Sequence, residues 1–218
     1  MFAPKTRAWI IDIFGHQARS LPIIRCIIRQ FPKASIRRDP GIMGPSRARL
    51  LGLDDAALLA ECKVDRYRAS GPGGQKRNKT DSAVRLRHAG TGLAALATES
   101  RSQHENRRRA LRRLRLKIAL ELRETIDPEQ AAPGVALRRF IGADRLIACN
   151  PRNADFPLVM AELLDWLVAC DGQVSAVAGR IGVSTSSMTR FFHGQTQVWR
   201  KVQEVRKRCG LGPLRSKG

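Results

Sequence analysis

The chain has 218 residues, of which 40 are Lys or Arg and 19 are Asp or Glu, giving a formal charge of +21 at neutral pH. Its 43% hydrophobic content is enough for packed cores and excludes wholesale disorder. The charge points to a phosphate polymer as partner, ahead of a membrane surface, while only 5% aromatic residues argue against a surface that stacks bases on rings.

Residues 1–42 carry Pro4, Pro22, Pro32 and Pro40 and show no sustained helical or strand period. They read as a poorly ordered basic leader. Its apolar stretch, Leu21 to Phe31, is cut by Arg25 and Arg29. It is too short for a bilayer span of about 20 residues and lacks the clean apolar run of a secretory signal.

Residues 43–126 read as a first domain. A short helix opens near Asp54-Asp55, with Leu53, Ala57, Leu58 and Cys62 as its apolar stripe. Alternation over Cys62–Arg68 predicts a strand, followed by the glycine-rich loop from Ser70 to Thr80. A second strand over Ala83–Arg87 places Val84 and Leu86 on one face, and the turn Ala89–Gly92 leads to a hairpin partner over Leu93–Thr98. A long helix then runs from Ser102 to Glu124, burying Leu111, Leu114, Ile118 and Leu122, with seven cations from Arg107 to Lys117 around the rest. Ser102 and Glu105 have the spacing of a reciprocal capping box.

Residues 127–154, with Asp127-Pro128 and Pro133-Gly134, read as a linker, and 155–218 as an all-helical domain. Its first helix, Pro157–Cys170, turns Met160, Leu163, Leu164, Leu167 and Val168 inward. Next comes a helix-turn-helix-like pattern: Val177 and Ala178 before Ile181, Gly182 at the turn, a buried Val183, then a helix capped by Ser184 and anchored by Met188 and Phe191. Val198, Trp199, Val202 and Val205 mark a closing helix. The expected class is therefore α+β: a small domain with a short sheet and a long C-terminal helix, followed by an all-α domain.

Five cysteines without a C-x-x-C pair read as reduced, buried thiols, and the four histidines form no ligand spacing with them. No metal is expected. The loop Gly71-Pro-Gly-Gly-Gln75 is the most informative segment: Gly73 and Gly74 let the backbone approach a partner closely, and the neutral Gln75 stands before Lys76, Arg77 and Lys79. It is not a nucleotide loop. Lys76 stands where a dinucleotide fingerprint needs glycine, Asn78 where a Walker loop needs one, and a strand rather than a helix follows. No nucleophile or tuned acid–base pair lies within it, which excludes covalent catalysis there.

The blocks Ser70-Gly-Pro-Gly-Gly-Gln-Lys-Arg-Asn-Lys-Thr-Asp-Ser-Ala-Val84, His88-Ala-Gly-Thr-Gly92, Arg101-Ser-Gln-His-Glu-Asn-Arg107 and Ala110-Leu-Arg-Arg-Leu114 closely resemble the catalytic domain of class I peptide chain release factors, over about residues 50–124. The resemblance implies hydrolysis of the ester joining a nascent peptide to tRNA in the ribosomal peptidyl transferase centre. It assigns catalysis to Gly73, Gly74 and Gln75: the Gln75 backbone N–H stabilises developing charge and its side chain limits access to the size of water. It assigns contacts with rRNA and tRNA to Lys76, Arg77, Asn78, Lys79, Arg101, Ser102, Gln103 and Arg107.

Stop-codon-reading release factors carry a large domain before this one, whereas some 50 irregular residues precede it here. The expectation is thus codon-independent rescue of stalled ribosomes, against two alternatives: ordinary stop-codon termination, and a nucleic-acid-binding regulator acting through the C-terminal helices. Ser186, Ser187 and Arg190, with His193, are expected on an exposed nucleic-acid-binding face. The expected partners are large-subunit ribosomal RNA and peptidyl-tRNA, with other RNA through the C-terminal domain. No cofactor and no membrane partner are expected, and the protein is expected to be monomeric and cytoplasmic.

Overall fold

A computed structural model describes residues 45–67 and 82–215. Helices α1 (Arg47–Gly52) and α2 (Asp55–Ala60) lead into a three-stranded antiparallel meander, β1 (Cys62–Tyr67), β2 (Ala83–His88) and β3 (Ala94–Ala97), in the order β1-β2-β3. The central strand alternates as its sequence predicts: Val84, Leu86 and His88 are buried while Arg85 and Arg87 are exposed. Register carries that alternation across the sheet, setting Leu86 opposite Val64 and Ala95, and Val84 opposite Ala97. On the solvent face Arg85 pairs with Asp65 across the ladder at 2.9 Å.

The apolar face of the sheet is covered by α3 (Gln103–Glu121). Ala110, Leu114 and Ile118 recur every four residues and are fully buried against Val84, Leu86, Leu50 and Leu58. The cap at its start is only half reciprocal. Ser102 Oγ accepts from the Glu105 N–H at 3.3 Å, but the Glu105 carboxylate turns to Ser100 Oγ and Arg109, and the Ser102 N–H donates to Ser100 Oγ at 3.1 Å. Ser100 sits between the two partners and takes the bond a capping box would give to Glu105.

Helices α4 (Val135–Arg138), α5 (Phe156–Ala169), α6 (Val174–Ile181), α7 (Thr185–His193) and α8 (Thr196–Arg208) complete the chain. Helix α5 is apolar nearly all round and occupies the centre, with Met160, Leu163, Leu164, Trp166 and Leu167 fully buried. It ends in a left-handed stop: Asp171 (φ 50°) and Gly172 (φ 74°) turn the chain, and the Gly172 N–H donates back to Leu167 O at 2.8 Å. Helices α6 and α7 are joined at Gly182 (φ 79°), with the Val183 N–H donating to Ala178 O at 3.0 Å. Ser184 caps α7 through the Ser187 N–H at 3.1 Å.

Further details depart from the sequence reading, among them the end of α3, which stops at Glu121 and leaves Leu122 a half-buried cap rather than part of the buried stripe. Helix α1 is not among the elements read from the sequence: unlike α2, it has no acidic first turn and no side-chain cap to mark its start. Phe192, not Phe191, is the fully buried anchor of α7, whereas Phe191 is half-buried and meets Phe156 edge-on at 5.9 Å. Residues 127–154 are not free linker: Leu137, Ile147 and Cys149 enter the main helical core, and Ile141 bridges Ile147. Apolar side chains spaced singly among turns give no periodic signal, yet each finds a pocket. All described residues fall within one compact unit.

Candidate functional site

The glycine-rich loop is the β1–β2 connection. Its residues Gly73, Gly74, Gln75, Lys76, Arg77, Asn78 and Lys79 lie outside the described residues; what is described is the frame that holds its two ends. Tyr67 and Ala83 are register partners, so the strands bring the ends together. The exit is pinned a second time by Asn106, in the first turns of α3. Its amide is fully buried: Nδ2 donates to Ser82 O at 2.6 Å and Ser100 O at 2.7 Å, and Oδ1 accepts from the Ser100 N–H at 2.9 Å. Both donors and the acceptor oxygen of that side chain are engaged. The loop exit, the β3–α3 connection and α3 are therefore one hydrogen-bonded unit.

Around this frame the described groups supply charge and order rather than acid–base chemistry. Arg101 is exposed with no partner among the described residues, Ser102 caps α3, Gln103 is half-buried, and half-buried Arg107 keeps its Nε without an acceptor among them. His88, 1% exposed, is committed: Nδ1 accepts from the Thr91 N–H at 3.1 Å and Nε2 meets Glu61 at 3.1 Å. Glu61 lies below the usual carboxylate range, held there first by the Arg49 guanidinium and then by His88. The described cysteines are poor nucleophiles. Burial pushes the thiols of Cys62, Cys170 and Cys209 up, and that of Cys149 to about 11. What α2, the sheet and α3 present is a cationic, rigid mount for a loop.

That segment has a known family. An RF-1 domain model matches residues 58–137, from the end of α2 through the sheet, the loop and α3 to α4. Over these residues the chain is similar to the class I peptide chain release factors. Peptide chain release factor 1 of Leptothrix cholodnii is 52% identical over 98 residues, which is 45% of this chain and 26% of that protein. Peptide chain release factor 1 of Kocuria rhizophila is 47% identical over 97 residues, 44% of this chain and 25% of that protein. Peptide chain release factor 2 of Paramagnetospirillum magneticum is 56% identical over 59 residues, 27% and 16% of the two chains. The chain thus spans less than a third of the length of the curated relatives it matches.

The RF-1 domain accounts for the sheet and α3 but ends before α5. In the helical part, Ser186 and Arg190 are exposed, as expected. Ser187 is not: it is 7% exposed, and its Oγ accepts the Ile147 N–H at 3.1 Å. Position 187 shares the buried side of α7 with Met188, so its hydroxyl serves the fold. The residue that sequence reading passed over is Asn106. Its signal was there: it stands one step before Ala110, Leu114 and Ile118 in a row of every fourth residue, a polar group where the stripe demands an apolar one. Among the described residues no helix is long and apolar enough to cross a membrane.

Proposed function

We propose that this chain hydrolyses the ester of peptidyl-tRNA on the ribosome and does so without reading a codon, freeing peptides from stalled complexes. The observation that carries the reading is the RF-1 domain match, which encloses Gly73-Gly74-Gln75 between two anchored loop ends. In the proposed reaction, water attacks the ester carbonyl carbon. The Gln75 backbone N–H donates a hydrogen bond to the carbonyl oxygen as negative charge develops there, and the tRNA 3′ oxygen leaves with a proton derived from that water. The products are a free peptide acid and deacylated tRNA. Gly73 and Gly74 permit the backbone approach, the Gln75 side chain admits water but not larger nucleophiles, and ribosomal RNA with the tRNA forms most of the site. Lys76, Arg77, Asn78, Lys79, Arg101, Ser102, Gln103 and Arg107 bind RNA around it.

Codon independence is supported by what the matched segment has in common with its relatives. Proteins named release factor 1 and release factor 2 both match it, so it carries what those two share rather than what separates them. The site of action is large-subunit RNA with peptidyl-tRNA, in the cytoplasm, by a monomer. The test compares peptide release from ribosomes on a truncated message and on one ending in a stop codon. Release on the truncated message, lost in Gly74→Ala while ribosome binding stays within a few fold, is the expected result. Release confined to the stop-codon complex would identify an ordinary termination factor, and full release by Gly74→Ala would remove the loop from catalysis.

A further inference from the structure

Two concavities meet on the surface of the described unit. One, of about 620 Å³, lies between α3 and the segment 151–158 and is lined by Arg108, Arg112 and Arg152. The other, of about 250 Å³, runs beside α7 and is lined by Arg190. Pro151, Phe156 and Gln195 line both, so a continuous groove passes from α3 to α7.

Charge in this groove is unbalanced in a specific way. Arg108, Arg112, Arg152 and Arg190 are all exposed, and among the described residues none of their guanidiniums makes a hydrogen bond or ion pair, though the charge of Arg108 reaches the Glu105 carboxylate. The acids of the same groove are all engaged. Asp55 pairs with Arg115 at 2.9 Å, Asp155 with Arg139 at 3.3 Å, and Asp54 accepts the Ala57 N–H that caps α2 at 2.7 Å. Arg108 and Arg112 stand one helical turn apart, a spacing at which like charges weaken the helix that bears them unless a counter-charge lies across both. Cations inside a concavity focus their field more strongly than the same cations on a convex face.

We propose that this groove binds the sugar–phosphate backbone of a single RNA strand, with Arg108, Arg112, Arg152 and Arg190 as successive phosphate contacts. Of the two rings that line it, Phe156 is 3% exposed and Phe191 half-buried and edge-on to it, so the four arginines outweigh the stacking surface and recognition is chiefly through the backbone, tolerant of sequence. Arg152 and Arg190 lie outside residues 58–137, so the groove is not a property of the RF-1 domain alone. The choice of RNA over DNA rests on the function proposed above; the groove itself does not.

The test uses the intact chain and a fluorescent, unstructured oligouridine, with anisotropy read over a series of potassium chloride concentrations. Log affinity should fall linearly with log salt. Arg112→Ala/Arg152→Ala/Arg190→Ala should weaken binding at least roughly tenfold at low salt and flatten the slope by about 2, the share of three phosphates at about 0.7 each. Arg138→Ala/Arg200→Ala/Lys207→Ala removes three equally unpartnered, exposed cations elsewhere and should cost less than about threefold. The proposal is overturned if the two triple variants lose affinity and slope alike, since the charge then acts diffusely. It is equally overturned if oligouridine does not bind, or if duplex DNA binds more tightly through the same arginines. Gly74→Ala should keep full oligouridine binding, so a failed groove and a failed hydrolase are told apart.

Discussion

Asn106 shows how a single side chain can set a functional geometry without touching substrate. It bonds three backbone groups on two segments, Ser82 and Ser100, from a fully buried position. Asn106→Ala leaves those groups buried without partners, a loss of about 2–4 kcal/mol in unfolding free energy, measurable by urea titration. Because Ser82 is the loop exit, peptide release by the folded variant, assayed well below its Tm, should fall at least roughly tenfold, while the oligouridine affinity of the arginine groove is unchanged. The reverse pattern would place Asn106 outside loop positioning. Ser187 teaches the complementary lesson, since a hydroxyl expected to meet nucleic acid instead closes a backbone bond to Ile147.

At the scale of elements, α3 does several jobs with one sequence. Its apolar row covers the sheet, and two of its cations shield the edge strand. Arg113 donates to Leu96 O at 2.6 Å and Lys117 to Ala94 O at 3.1 Å, covering carbonyls that β3 would otherwise offer to another strand. A cation count overstates the charge available for RNA by every residue spent in this way. The corner where α1, α2 and β2 meet is tied by Glu61, which takes Arg49 and His88 together. With its folded-state pKa depressed, Glu61 contributes stability that is complete above the ordinary carboxylate range and is lost as pH falls through its lowered value. The urea midpoints of wild type and Glu61→Gln should therefore differ most at neutral pH and converge in acid, as pH falls through that lowered value. A gap that widens in acid would reverse the assignment.

Across the whole described unit, two apolar clusters share α3: Leu114 and Ile118 belong to the sheet side and Leu120 to the helical side. A buried ionic knot joins them again. Asp165 on α5, 2% exposed, accepts from Arg47 and from Arg123 at 3.0 Å, and Arg47 also pairs with Glu124 at 2.9 Å. Burial raises the Asp165 carboxyl against the pull of both arginines and lowers Arg123 to about 10. Removing one partner strands the others in a dry site. Asp165→Ala should cost about 3–5 kcal/mol in denaturation, whereas Arg47→Met/Arg123→Met/Asp165→Leu, which removes the knot's buried charges together, should be near neutral or stabilising. Equal losses in both variants would mean that packing, not charge, is what the site supplies.

Periodicity and local chemistry made much of this protein legible in its sequence. Alternation marked β1 and β2, Ser102 marked the start of α3, the row at 110, 114 and 118 marked its buried face, and Gly182 marked the turn between α6 and α7. Such signals are local because backbone hydrogen bonds and side-chain direction repeat over a few residues. The loop motif is legible for the same reason: its meaning lies in the order of neighbouring residues. What no local pattern held was decided by contacts between segments far apart in the chain. Arg47 reaches Asp165, Asn106 reaches Ser82, and Ser187 takes the Ile147 N–H. Which arginines are consumed by such contacts, and which are left facing a groove, depends on where distant carboxylates and carbonyls come to rest, and only the packed chain determines that.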